Sequence, residues 1–141
     1  MGQNIDSSFA VVPFVGDKDL TSNYQDIYNF TGSGLIYQVF FALSNTQATV
    51  NLNLDGVNRS LLSDFNLRDF VESNKYDYNN PQRVYKHPMF SFVSNRDSDM
   101  FLLDLSNTPV EFTNSIVLKM KENSGNVKFQ AGYIVAQLNE S

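Results

Sequence analysis

Cysteine and tryptophan are both absent from this 141-residue chain, which carries one histidine and only 10 lysines and arginines. Each shortage closes a class of function. Without cysteine there is no disulfide, no thiolate nucleophile and no Cys-ligated zinc or iron–sulfur centre. The single histidine, His87, cannot form a two-histidine metal site, and its place beside Pro88 in a polar stretch reads as a surface position. Ten basic residues against 15 acidic ones leave a net charge of −5 and a pI near 4.6. A nucleic-acid partner requires clustered Lys and Arg to neutralise phosphates, so it is not expected. No apolar run reaches the ~18 residues that span a bilayer. The opening stretch MGQNIDSSFAVVPFVG has neither a basic start nor a long apolar segment, which predicts no signal peptide. Met1-Gly2 does not begin a myristoylation site either, because Asp6 stands where that pattern requires Ser or Thr.

What remains is a chain with ample material for one core. Hydrophobic residues make up 42% of it, and 12 Phe and 7 Tyr supply all the aromatic surface. That is enough apolar area to offset chain entropy in one domain spanning 1–141, and too little length for two cores of ordinary size. Asn is frequent and favours turns, since it tolerates the left-handed backbone region. Three glycosylation sequons, at Asn29, Asn58 and Asn139, are what this Asn, Ser and Thr content yields by chance.

Apolar residues recur mostly with period two, the spacing of half-buried strands. In Thr49-Val50-Asn51-Leu52-Asn53-Leu54 the apolar positions share one face, and the run stops at Asp55-Gly56, a dipeptide suited to positive φ. Ile116 to Lys121 alternates in the same way and ends at Asn123-Ser124-Gly125-Asn126, which predicts a hairpin whose return arm is Val127 to Leu138. Gly132 inside that arm marks a candidate bulge. Further strands are expected at Phe9–Val15, Gly34–Leu43, Met89–Val93, Met100–Leu105 and Val110–Phe112. About eight short strands at this spacing predict an all-β fold, an antiparallel sandwich of jelly-roll type. One segment departs from the period: Asn66 is a capable N-cap, Asp69 sits in the first turn, and Leu67, Phe70 and Val71 form an apolar stripe, so a short helix is expected there.

The chemistry-bearing groups are sparse. Asp97/Asp99, Asp64/Asp69 and Asp17/Asp19 are carboxylate pairs, but a glycosidase needs two acids facing across a sugar cleft, and turn acids are ordinarily solvated. Asp17-Lys18-Asp19 and Asn95 to Asp99 offer oxygen ligands without EF-hand spacing. Thr31-Gly32-Ser33-Gly34 lacks the downstream Gly-Lys of a phosphate loop and precedes a strand, so it reads as a turn. No catalytic residue, metal or cofactor is expected. Residues 73–88, SNKYDYNNPQRVYKHP, form the longest stretch without alternation. Tyr76, Tyr78 and Tyr85 with Arg83 make it a candidate exposed interaction loop, because Tyr and Arg are favoured at interfaces.

Three segments taken in order carry a resemblance. They are Phe30-Thr31-Gly32-Ser33-Gly34-Leu35-Ile36-Tyr37, then Val50-Asn51-Leu52-Asn53-Leu54-Asp55-Gly56, then Val110 through Ser115-Ile116-Val117-Leu118-Lys119. A Gly-x-Gly strand, a strand closing on Asp-Gly and a late Phe-x-x-Ser strand in this order resemble the small β-sandwich structural proteins of tailed bacteriophages. The resemblance spans about residues 28 to 138. It implies a non-enzymatic virion component, made in the host cytoplasm, that contributes to head or tail assembly through contacts with other virion proteins and with copies of itself. Residues 1–15 are then the candidate assembly arm or edge strand, with Phe9, Val11, Val12 and Phe14 as its interaction residues and Pro13 favouring an edge. The competing expectation is a carbohydrate- or receptor-binding module, with Tyr76, Tyr78 and Tyr85 stacking on sugar rings.

Overall fold

The structure, a computed structural model, describes residues 9–14, 16–58, 62–74, 89–94, 98–123 and 125–140. The fold is all-β, as its period-two patterning predicts, with one short helix among the described residues. Among the described residues eleven strands occur in the order β1 (Phe9–Pro13), β2 (Lys18–Asp19), β3 (Gln25–Leu43), β4 (Ala48–Leu54), β5 (Val57–Asn58), β6 (Phe65–Asn66), β7 (Phe90–Ser94), β8 (Asp99–Asp104), β9 (Val110–Phe112), β10 (Ser115–Glu122) and β11 (Lys128–Glu140), with helix α1 (Leu67–Asn74) between β6 and β7. Three of the strands have only two residues, which is why about eight were expected from alternation alone.

The organising element is β3, 19 residues long, which belongs to both layers of the sandwich. Its first half, Gln25 to Thr31, pairs with β10, which pairs in turn with β4; β5 and β6 lie along the far side of β4. This is the first sheet. Its second half, from Gly32 onward, pairs with β11 on one side and with β9 and β8 on the other; β7 follows β8, and β1 and β2 follow β11. This is the second sheet. All pairings are antiparallel.

The Thr31-Gly32-Ser33-Gly34 segment is therefore not a turn but the place where β3 passes from one sheet to the other. Two glycines permit it. A Cβ on Gly34 would lie 2.0 Å from the Gln137 carbonyl oxygen, and one on Gly32 would lie 2.3 Å from that of Asn139. Gly32 also holds φ at 148°, a value side-chain-bearing residues rarely adopt. The expected hairpin between Ile116 and Leu138 is likewise corrected. β10 and β11 do not pair, because β3 and β4 occupy both edges of β10 while β3 and β1–β2 occupy those of β11. The Asn123–Val127 connection instead carries the chain from one sheet to the other. Gly132 is in register opposite Phe41, and the irregularities of β11 fall at Phe129/Ala131 and Val135/Ala136. At Gly132 it is close approach that excludes a side chain: a Cβ would meet the Phe40 carbonyl oxygen at 2.6 Å.

The inner faces of the two sheets form one core. Val50, Leu52 and Leu54 of β4 and Ile116, Leu118 and Met120 of β10 belong to the same buried cluster as Ile36, Val39 and Phe41 of β3, Leu103 of β8 and Ile134 of β11. Helix α1 starts where expected: the Asn66 side chain accepts the Asp69 amide proton at 3.1 Å, a capping bond. Its stripe of Leu67, Phe70 and Val71 is buried. Phe70 and Phe65 both contact Phe90 of β7, with ring centroids 5.0 and 5.2 Å away, so the helix ties the open side of the sandwich together.

Candidate functional site

Two polar assemblies stand out from the ordinary pairing, and both are structural. Asp55 and Gly56 turn β4 into β5 with φ of 59° and 83°, the two positive values a two-residue hairpin turn requires. The Asp55 carboxylate then reaches the β9–β10 junction. It accepts the amide protons of Thr113 (2.9 Å), Asn114 (2.6 Å) and Ser115 (3.1 Å) and the Thr113 hydroxyl (3.1 Å). The Asn114 amide, foremost, with those of Ser115 and Thr113, holds this carboxyl below the usual carboxylate range. In the reverse direction the Asp55 amide donates to the Ser115 carbonyl at 2.8 Å, and Gly32 donates to that of Asn114 at 2.9 Å. The three sequence segments behind the phage resemblance thus meet at one corner: the Gly32 kink, the Asp55-Gly56 turn and the Thr113-Asn114-Ser115 junction.

The second assembly crosses the outer face of the first sheet. The Tyr24 hydroxyl donates to the Asp64 carboxylate, the Asp64 amide donates to Asn51 Oδ1 at 3.1 Å, and Lys121 Nζ sits 4.9 Å from the Tyr24 ring centroid. Partial burial, reinforced by the Asp64 hydrogen bond, pushes the Tyr24 phenol far above its ordinary value. The neighbouring outward positions are polar too: Lys119 lies between Asp26 and Asn51, and Asn53 lies beside Val117. Asp64 is therefore engaged with Tyr24. Asp19 makes an exposed ion pair with Lys128 at 3.8 Å. Among the described residues no three His, Asp or Glu groups gather as a metal site would require.

The outer face of the second sheet is built differently. Antiparallel register sets Pro13 beside Tyr133, Tyr133 beside Phe40, and Phe40 beside Leu102, one row across β1, β11, β3 and β8. A second row runs Ala131, Ala42, Met100, Val93, and a third begins Val11, Val135 before turning polar at Gln38 and Asp104. The Phe40 and Tyr133 rings stack at 5.1 Å and 24°. Among the described residues Val11 and Val93, at opposite margins of this sheet, are the large hydrophobic side chains most open to water, at 66% and 45%. Antiparallel sheets usually turn polar residues to solvent on the uncovered face. The first sheet does so and the second does not.

β1 forms one margin of this apolar face. It pairs with β11 from Phe9↔Gln137 to Pro13↔Tyr133, and among the described residues nothing pairs with its other edge. Of the residues expected to act at an interface, Val11 faces solvent, whereas Val12 packs against the core and Phe14 is buried. Phe14 lies against Tyr28 and Phe129 at 5.1 and 6.3 Å, so it anchors the strand instead of presenting a surface. Phe9 contributes a paired backbone at the start of β1. Tyr76, Tyr78, Arg83, Tyr85 and His87 lie outside the described residues, as does Asp97.

No family model matches the chain, and no curated protein matches it. The sequence reading overlooked the outer face of the second sheet, although a signal was present. Leu35 to Leu43 and Tyr133 to Ala136 are nearly unbroken apolar runs instead of alternations, and such runs mark strands covered on both sides. The described chain supplies a cover for only one side of them.

Proposed function

We propose that the chain is a non-enzymatic structural component of a bacteriophage virion, contributing to head or tail assembly through protein–protein contacts. The observation that carries the assembly reading is the apolar outer face of the second sheet, with Tyr133, Phe40 and Leu102 aligned across it and Val11 and Val93 at its margins. Soluble monomers seldom leave a contiguous apolar face open, because covering it gains about 25 cal/mol per Å² removed from water. The virion assignment rests on the resemblance, whose three segments meet at one corner of the fold through Gly32, Asp55 and the Thr113–Asn114–Ser115 junction. Asp64, engaged with Tyr24, supports a non-catalytic reading of that acid.

Light scattering over a wide range of protein concentration tests the assembly reading, with a Val135→Lys/Leu102→Lys variant alongside. Both substitutions place a charge on the outer face without entering the core. The wild-type chain is expected to form multimers that the variant does not. A wild-type chain that stays a folded monomer at every concentration overturns self-assembly.

A further inference from the structure

Among the described residues the outer edge of β1 has no partner, and this free edge has a hydrogen-bonding pattern of its own. Phe14 donates its amide proton to the Gly132 carbonyl at 2.9 Å, so Phe14 and Gly132 are a hydrogen-bonded pair of the β1–β11 edge. In an antiparallel ladder, bonding direction alternates residue by residue. Val12 and Ala10 therefore bond toward β11, while the N–H and C=O groups of Phe9 and Val11, and the C=O of Pro13, point away from the sheet. Proline supplies no donor, and at position 13 the missing donor belongs to the free edge, the one place in a strand where its loss costs the β11 pairing nothing.

Exposed edges of natural sheets are normally blunted by charges, by prolines or by a covering segment. Here the stretch from Ser7 to Gly16 contains no charged residue in a chain of net charge −5. Pro13 is its only blunting feature, and it interrupts one end of the edge while leaving Phe9 to Val11 intact. The β1 edge is thus an uncharged strand edge, without a partner among the described residues, at which two such acidic molecules can approach with little repulsion.

We infer that β1 pairs with β1 of a second copy, antiparallel about a two-fold axis beside Val11. This rests on the assembly reading and adds a contact at the sheet edge, leaving the outer face through Tyr133, Phe40 and Leu102 open to a further contact. In that register the Val11 N–H of each copy donates to the Val11 carbonyl of the other, and each Phe9 N–H donates to the Pro13 carbonyl of the other. The arrangement is self-complementary, as a two-fold interface must be. Only the Phe9 carbonyls lose a partner to Pro13. The pairing also joins the two second sheets edge to edge, so that the Val11–Val135 row runs on into the same row of the second copy, the Pro13–Tyr133–Phe40 row meets its Phe9, and the two Val11 side chains lie side by side.

Two variants test it on the full chain. Val11→Pro removes a donor from the free edge only; the β11 ladder is untouched, so the thermal melt of the dilute monomer should hold while self-association weakens at least tenfold. Val11→Cys in this cysteine-free chain introduces the sole thiol. Antiparallel hydrogen-bonded partners sit ~5.5 Å apart at Cα, within disulfide reach. Mild oxidation should give a dimer of the Val11→Cys variant, and none of a Thr113→Cys control at the distant corner. If the wild-type chain multimerises yet Val11→Cys does not cross-link, β1 pairing is overturned and the assembly reading survives. If the wild-type chain is monomeric at all concentrations, both fall. Should Val11→Pro fail to fold, the cross-linking result alone decides.

Discussion

Replacing Asp55 tests whether the corner is held by a charge or by the shape of a turn. The residue does two jobs: it occupies a left-handed backbone position, φ 59°, and its carboxylate accepts from Thr113, Asn114 and Ser115. Asp55→Asn keeps the backbone preference and one acceptor oxygen but loses the charge. Hydrogen bonds to an ionised group contribute about 1.5–3 kcal/mol each against about 0.5–1.5 for neutral ones. Two such bonds weakened by about 1 kcal/mol each, then discounted because the carboxylate is solvent-accessible, give a loss of about 1–2 kcal/mol. Asp55→Gly accommodates the φ but removes every acceptor, for about 2–3 kcal/mol, and Asp55→Ala adds about 1 kcal/mol of left-handed strain to that. Urea unfolding at neutral pH should rank wild type, Asn, Gly and Ala in that order. The carboxyl is held below its ordinary range in the native state. Its contribution is therefore full above the unfolded pKa, ~3.9, and is lost as pH falls through the lower native value. The gap between wild type and Asp55→Asn should accordingly close on acidification below about pH 4. An Asn variant as stable as wild type at pH 7, or a gap independent of pH, refutes the charge-held corner.

Phe90→Ala should be among the costliest substitutions, about 3–5 kcal/mol in urea unfolding, because Phe90 is 1% exposed and its ring contacts those of Phe41, Phe65, Phe70 and Phe101. Gly34→Ala should cost at least about 1–3 kcal/mol by thermal unfolding, since its Cβ would sit 2.0 Å from the Gln137 carbonyl oxygen on a paired strand that has no room to retreat. Tyr24→Phe should cost about 1 kcal/mol at neutral pH through the lost Asp64 bond. The native Tyr24 phenol titrates above the unfolded one, so the stability it confers is complete below pH ~10 and lost as pH rises through the raised native value. The wild-type and Tyr24→Phe melting temperatures should therefore converge in strong alkali.

Local pattern made most of this architecture readable. Alternation in Thr49 to Leu54 and Ile116 to Lys121 gave the inward face of each strand, because which side a residue takes depends only on its neighbours along the chain. Asp55-Gly56 and the Asn66 cap were readable for the same reason: their chemistry is complete within a few residues. What alternation does not encode is partnership. β10 and β11 are consecutive, alternating and joined by turn-forming residues, yet β3 inserts between them, and only long-range competition for edges decides that. The glycines at 32 and 34 misled for a related reason. A Gly-x-Gly next to polar residues serves a turn or a close backbone approach equally well, and the approaching strand lies a hundred residues away in sequence. At the proposed interface, the pattern located the strand but not its division of labour. Phe9, Val11, Val12 and Phe14 look alike in composition, and Phe14 is drawn into the core because Gly132, Tyr28 and Phe129 leave room there for its ring.

In the proposed pairing, that division couples assembly to folding. Val12 and Phe14 fasten β1 to the core from within, while Val11 and the outward hydrogen-bonding groups of Phe9 and Val11 belong to the same five-residue strand. A second copy that binds this edge binds only the state in which β1 is docked, and so stabilises docking by mass action, by about 2.7 kcal/mol at a concentration one hundred times the dissociation constant. Conversely, loosening Phe14 would weaken association without touching any interface atom. An edge strand held on the core by alternate residues therefore lets one short segment serve as both fastening and contact, and makes the affinity between copies a measure of how firmly β1 is packed.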